Sequence, residues 1–278
     1  MVPCQVCGTY DLHPRPTADT LGVIYSADEY CSFSFAERGS AWVLRARKLR
    51  DRREVERMLR HVETEREQVK VLDIGAGDGA LLEMFESSGV PGSNLSGADL
   101  ESHAVERLRS KGFNGILGRV EELELPAASF DLVTMIQVIE HVADPRKVMR
   151  SVNRALRRRG ILVLETPKIA SWDCRFFARK TWGGYHFPRH WTLWSLESNA
   201  RTLRETGFEI VEISAPPAAV TWRWSVNHVL QDRGWPKLAA DLLTMNNPLA
   251  LGTFWVIDVL PSVLGWSANM RVVARRAS

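Results

Sequence analysis

The sequence predicts an α/β fold with a parallel sheet covered on both faces, and three observations carry that prediction. Short apolar runs alternate with helical periodicity from residue 69 onward. The first run ends in a glycine-rich turn, Gly75-Ala76-Gly77-Asp78-Gly79. The second closes on an acid, Asp99, 22 residues beyond Gly77.

Taken in order, residues 69–74 form a first strand and 80–86 a helix. Residues 96–99 end a second strand, 101–110 are helical, and 113–117 form a third strand. Residues 130–138 are β-branched and nearly all apolar, as a buried parallel strand requires. Residues 145–157 form a helix, with Asp144 as its N-cap and Pro145 as its first residue. A fifth strand covers 161–165, a helix 196–205, a strand 209–214 and a short final strand 271–274. Upstream, Pro3, Pro14 and Pro16 break periodicity. A long amphipathic helix is expected over 36–62, where nine basic residues lie between Arg38 and Arg60. Its plain reading is a solvated face over a core; its sharper reading is a surface for an anionic substrate or headgroup.

Composition narrows the class. Of 278 residues, 45% are apolar and 25% charged, which excludes wholesale disorder and fibrous repeats. A net charge of +3 is too weak to argue for nucleic acid, and none is expected as a partner. Four Cys do not make a disulfide scaffold in a chain of this length. No apolar signal-like region follows Met1, and no uncharged apolar stretch of about 18 residues occurs. The expectation is a soluble cytoplasmic protein. Peripheral contact with a membrane surface stays open, because nine of ten Trp follow residue 170 and the run 248–265 carries one charge, Asp258. Residues 216–268 are read as a helical subdomain, or as the wall of a pocket for an apolar acceptor.

The strand Val71-Leu72-Asp73-Ile74 running into the glycine turn is the strongest signal. Glycines let a backbone approach a ligand, and the following helix start offers unpaired N–H donors. Asp99 is placed to accept both hydroxyls of a ribose. The turn alone fits NAD as well as another adenosine ligand. Asp73 at the strand end suits a cationic ligand better than a pyrophosphate, and Gly79 leaves little room for a helix start that hugs a diphosphate.

Five ordered blocks then resemble one family. They are Asp73-x-Gly75-x-Gly77-x-Gly79; Asp99; Leu123-x-x-Pro126-x-x-Ser129-Phe130-Asp131; Ile139-Glu140-His141-Val142-x-Asp144-Pro145; and Thr166-Pro167. Over about residues 66–214 the chain resembles class I S-adenosylmethionine-dependent methyltransferases, in the branch of the ubiquinone-biosynthesis O-methyltransferases. The resemblance implies a Rossmann-like, seven-stranded, mostly parallel sheet with an antiparallel last strand. It implies S-adenosyl-L-methionine as cofactor and a small-molecule, glycan or lipid-linked acceptor, with O-methylation ahead of N- or C-methylation. An NAD-dependent oxidoreductase is the runner-up; the Tyr/Lys or Cys/His arrangement it needs after the fifth strand is not found. The resemblance places Asp73, Gly75, Gly77 and Gly79 at the methionine and ribose end, Asp99 on the ribose, Leu100 on adenine, the backbone of Val120 at the adenine edge and Gln137 at the methionine end. Arg119 stands where relatives often carry Asp. The turn before the fifth strand reads Arg157-Arg158-Arg159-Gly160, taken as a change in surface charge.

Residues 182–194 hold two His, an Arg and three Trp, which is not linker composition. They are read as a substrate lid, with His186 or His190 as a base near neutral pH. His141 is a third candidate, and Glu140 with His141 forms a weaker candidate metal pair. Cys4 and Cys7 have zinc-knuckle spacing but lack a second pair, so no metal is expected there; they resemble the second half of an N-terminal zinc ribbon in some relatives. The expected organisation is a Cys-pair segment 1–35, a helical cap 36–65, a cofactor-binding core 66–214 with a lid at 168–195, and a helical insert with the last strand at 215–278.

Overall fold

The computed structural model describes residues 1–16, 52–177, 180–235 and 248–277. Of the expected basic helix, residues 52–59 are helical and 60–62 are not; its residues 36–51, like Cys31, lie outside the described residues. The described residues fall into two compact units. One draws on Met1–Ile24, Glu165–Arg201 and Ile213–Arg271, the other on Tyr25–Leu164, Thr202–Glu212 and Val272–Ser278. This grouping does not follow the linear segments read from the sequence.

A seven-stranded sheet runs in the order β5-β4-β3-β6-β7-β10-β9, with β3 Val71–Ile74, β4 Leu95–Asp99, β5 Asn114–Leu117, β6 Phe130–Ile136, β7 Leu156–Pro167, β9 Phe208–Ser214 and β10 Asn269–Arg276. It is mostly parallel, with the last strands antiparallel, as expected. The parallel register pairs Ile74 with Ala98 and with Met135, and Asp99 with Leu117, so the carboxyl ends of β3, β4, β5 and β6 share one edge.

Helices α1 (Ala80–Ser87), α2 (Ser102–Ser110) and α3 (Pro145–Ala155) bury their apolar faces within this unit. Leu82 and Phe85 of α1 join Val71, Leu95, Leu108, Leu132 and Val163 in one core. Each such side chain contributes roughly 1.5–3 kcal/mol on full burial. Asp144 caps α3 as expected, accepting from the Lys147 N–H at 2.9 Å, and Pro145 follows.

One element differs. The helix ends at Ala155, and β7 begins at once, so the expected Arg157–Gly160 turn lies inside a strand. Arg159 sits in the left-handed region (φ +63°), and a side chain on Gly160 would meet the Arg157 carbonyl at 2.9 Å. The basic run is structural. Arg157 donates to both oxygens of Asp131 at 2.9 and 2.8 Å, and Arg159 pairs with Glu63.

In the other unit, β1 (Val2–Pro3), β2 (Tyr10–Asp11) and β8 (Thr192–Leu193) form a small antiparallel sheet that the sequence did not suggest. Around it lie α4 (Trp172–Phe176), α6 (Ala219–Asp232) and α7 (Pro248–Val263), with α5 (Leu196–Glu205) following β8. The insert is helical, as one of its two readings held. Trp182, Leu193, Trp222 and Cys174 centre its core, with Phe254 of α7 packed against them. The lone charge of the apolar run explains itself here. Buried Asp258 accepts from Ala218 N (2.7 Å), Ser267 Oγ (2.5 Å), and the indole N–H groups of Trp172 and Trp222 (both 3.2 Å). Among the described residues, no helix is long and apolar enough to cross a membrane.

Candidate active site

The first cluster forms at the carboxyl ends of β3, β4 and β6. Gly75 has φ +77°, and a side chain there would meet Val138 Cγ2 at 2.4 Å. Gly79 has φ +85°, and a side chain there would meet Leu108 Cδ2 at 2.7 Å. The loop is therefore held down by close packing, and its peptide groups are fixed: Gly75 N donates to Ala98 O (2.8 Å) and Gly79 N to Ala76 O (2.9 Å). Asp99 ties the middle of the loop to β4. Its Oδ2 accepts from Gly77 N at 2.9 Å and its Oδ1 from Glu101 N at 3.0 Å. That leaves acceptor capacity on both oxygens for a vicinal diol. Beside it, Leu100 is 49% exposed, an apolar surface at a polar rim. The Gly118 N–H donates to the Asp99 carbonyl at 3.0 Å and so anchors the turn that carries Arg119 and Val120. Arg119 is spent on Glu121 and Glu122, at 3.6 and 3.8 Å.

Asp73 is 4% exposed. Burial pushes its carboxyl up to about 7; the neighbouring Asp99 charge adds to this, and the Thr134 hydroxyl, donating at 2.7 Å, opposes it. A buried acid beside a second acid favours a cation. Gln137 leaves β6 in the left-handed region (φ +57°), and its Nε2 is buried without a hydrogen-bond partner among the described residues. A buried orphan donor is costly, and a ligand acceptor relieves it. The chemistry of this set fits an adenosine ligand that carries both a cationic centre and a carboxylate, as S-adenosylmethionine does.

The three candidate bases divide between the units. His141 belongs with the glycine loop, on the short turn Ile139–His141, and its Nε2 lies 4.0 Å from buried Glu140. His186 and His190 belong to the other unit, with ring centroids 5.1 Å apart. His186 lies 5.6 Å from the Trp224 ring and its Nε2 is 3.3 Å from Arg189. His190 is 5% exposed, and its Nδ1 is 2.8 Å from the Gly184 carbonyl.

Sequence reading missed Thr134. Thr134 sits in an apolar strand where only its register opposite Asp73 reveals it. His228 Nδ1 lies 3.3 Å from the Thr181 carbonyl, and its ring centroid is 6.1 Å from that of Trp224. Cys4 and Cys7 lie on one tight turn, where Gly8 N donates to Cys4 O at 3.0 Å. Backbone N–H groups of Cys7 and Val6 pull the Cys4 thiol down.

A methyltransferase-domain family model matches residues 42–213, more than half of the chain. The chain belongs to that family. Among similar curated proteins, a ubiquinone biosynthesis O-methyltransferase of Idiomarina loihiensis is 34% identical over 111 residues, covering 37% of this chain and 45% of that protein. The mitochondrial ubiquinone biosynthesis O-methyltransferase of Schizosaccharomyces pombe is 36% identical over 106 residues, covering 35% and 37%. The chain thus spans less than half the length of these relatives. Among solved structures, phosphoethanolamine N-methyltransferase 2 of Haemonchus contortus, in complex with S-adenosyl-L-methionine, has a TM-score of 0.51 at 20% identity, covering 81% of this chain and 52% of that one. The [4+2]-cyclase SpnF has a TM-score of 0.54 at 16% identity, covering 95% and 98%. The fold is that of the S-adenosylmethionine-dependent methyltransferases. A cyclase on the same fold means that fold alone does not name the reaction.

Proposed function

We propose that this protein transfers a methyl group from S-adenosylmethionine to a hydroxyl of a small-molecule, glycan or lipid-linked acceptor. The observation that carries the proposal is the pairing of buried Asp73 with Asp99 beneath a packed glycine loop. S-adenosylmethionine, when bound, supplies a methyl carbon on a positively charged sulfur. Asp73 compensates positive charge and Gln137 meets the methionine end. Asp99 accepts from the ribose hydroxyls, Leu100 covers adenine, and the Val120 N–H serves its edge. Gly75, Gly77 and Gly79 keep the loop low enough for this approach. Such a site works chiefly by alignment of nucleophile, methyl carbon and sulfur, and a base that takes the hydroxyl proton adds rate. His141, His186 and His190 are the candidates for that base.

The family membership and the O-methyltransferase names of the similar curated proteins support oxygen as the nucleophile. An apolar acceptor, or contact with a lipid surface, is supported by α7, where Val256, Leu260 and Val263 are exposed. The test is a thermal melt with S-adenosylmethionine and, separately, NAD. Ligand at a hundred times its dissociation constant stabilises the native state by about 2.7 kcal/mol, which raises the midpoint by several degrees. A rise with NAD and none with S-adenosylmethionine overturns the proposal in favour of the oxidoreductase reading.

A further inference from the structure

We infer that α7 docks on an anionic lipid surface, its outward stripe entering the acyl region and its flanking cations meeting the headgroups. The inference deepens the lipid-contact reading of α7 given above and rests on it; it does not depend on methyl transfer.

A helix on the outside of a unit surrounded by water keeps its polar face outward. In α7 the order is reversed. At about 100° per residue, Val256, Ile257, Leu260, Val263 and Leu264 share one stripe about 120° wide. All five are exposed, Leu260 at 66% and Val263 at 78%. The one charged residue between 248 and 267, Asp258, lies on the opposite side, buried among its four donors. Phe254 packs against the core from that same side. The inner face is thus fixed on protein, and only the stripe is left for a second apolar environment. A helix held in this way lies along a lipid surface and does not cross it.

Area, aromatic edges and charge select lipid as that environment. At the exposures of its five side chains the stripe presents on the order of 500 Å², short of the roughly 800 Å² per partner that a stable dimer buries. Trp255 and Trp266 are exposed at the two ends of the stripe, and an indole suits the headgroup boundary. Lys168 Nζ donates to the Gly265 carbonyl at 2.5 Å, next to Trp266 in the chain. Arg175 of α4 is exposed beside Phe176, itself 67% exposed. The Phe176 ring is 6.0 and 5.9 Å from those of Trp172 and Trp222, and both indoles donate to Asp258, which ties this part of α4 to α7. No acid stands in the stripe, so cations at its rim complement anionic headgroups.

The test is sedimentation of the full chain with vesicles of phosphatidylglycerol and phosphatidylcholine in equal parts, and with phosphatidylcholine alone, without S-adenosylmethionine. The chain should partition onto both, more strongly onto the anionic vesicles, and high salt should erase the difference. Hydrogen exchange should slow in residues 252–266 when vesicles are added. Val256→Glu with Leu260→Glu leaves the inner face untouched, so the unfolding midpoint should hold. Partition should fall by about 10²-fold, since burial of each such side chain is worth roughly tenfold or more. Arg175→Gln, a gentler change, should remove about fivefold of the preference for anionic vesicles and leave binding to phosphatidylcholine unchanged. An unchanged preference overturns the headgroup contact. No partition onto either vesicle, unchanged partition of the folded double variant, or slowed exchange confined to other segments overturns the docking of α7. A dimer in vesicle-free solution that the double variant dissolves overturns lipid in favour of a second copy of the chain. A chain that partitions yet binds no S-adenosylmethionine sinks methyl transfer alone, and one that binds it yet ignores both vesicles sinks this inference alone.

Discussion

Replacing Asp73 with Asn separates the two roles of that carboxyl. Burial, then the charge of Asp99, lifts it from 3.8 to about 7. The folded state therefore holds a proton that the unfolded chain releases between pH 4 and 7. Stability is highest at the acid end of that window and falls as pH rises through it. A shift of about 3 units corresponds to roughly 4 kcal/mol above pH 7, an upper bound for an order-of-magnitude argument. Asp73→Asn keeps an oxygen for the Thr134 hydroxyl and removes the charge. The apo variant should be more stable than wild type at pH 8, by up to about 4 kcal/mol, and indistinguishable near pH 4. Binding behaves oppositely. A cationic ligand needs the ionised form, and at pH 6 about nine-tenths of Asp73 is protonated, so wild-type affinity for S-adenosylmethionine should fall about tenfold from pH 8 to pH 6. Calorimetry in two buffers of different ionisation heat should show close to one proton released at pH 6. In Asp73→Asn both the proton release and the pH dependence should vanish, with weaker binding throughout. Flat wild-type affinity between pH 6 and 8, or an apo variant no more stable at pH 8, refutes the reasoning.

Asp99→Ala removes the tether to Gly77 N together with the ribose acceptor, and S-adenosylmethionine affinity should fall by roughly 1.5–3 kcal/mol; unchanged affinity by calorimetry sinks the assignment. Asp258→Ala leaves three donors in the helical unit without that acceptor, Ala218 N and the indole N–H groups of Trp172 and Trp222, while Ser267 Oγ keeps the Pro216 carbonyl; each orphan costs about 1–3 kcal/mol. Denaturant unfolding should show at least about 3 kcal/mol lost, and a loss below about 1 kcal/mol contradicts the reading. Cys4 and Cys7 offer two thiolates where a structural zinc takes four ligands, so elemental analysis should find less than about one zinc per chain. Stoichiometric zinc that survives chelation shows that other ligands complete the site.

The sheet was legible because its strands carry their burial on both faces. β3 and β6 are buried along almost their whole length, and such runs read as apolar regardless of context. Asp144, Asp99 and the glycine turn were legible because each occupies a fixed offset from a strand end or helix start. Other features depend on partners distant in the chain. The Arg157–Arg159 run looks like a solvated turn until Asp131 and Glu63 are seen beside it. β1 and β2 are two residues long; they pair with each other, and β2 also pairs with β8, far along the chain at Thr192–Leu193, so no periodicity within either segment marks it as a strand. Asp258 read as an interruption in an apolar run, yet the donors that satisfy it come from α4, α6 and the segment before β10. The histidines were found by residue type, while the Gly184 carbonyl beside His190 and Arg189 beside His186 are neighbours that no spacing rule supplies.

Glycines that look like ligand contacts are partly explained by packing, and this changes what substitutions can prove. Gly75 is favoured by its positive φ and by Val138, and Gly79 by its positive φ and by Leu108, whether or not anything binds. Gly97 in β4 is required in the same way, since a side chain there would meet Leu108 at 2.7 Å and Ala76 at 2.9 Å. Loss of binding on mutating these positions would report a displaced loop, and a glycine-rich turn is therefore weak evidence of a ligand. The polar groups are stronger evidence, because packing alone does not account for them. Asp73 is held ionisable at a cost that burial imposes, and Gln137 buries a donor with no hydrogen-bond partner among the described residues. A core selected only for stability would place an apolar residue at either position. Their retention at the same edge of the sheet as Asp99 is what a cationic, hydroxyl-bearing cofactor would demand. The same edge does not specify the reaction, since a cyclase shares the fold.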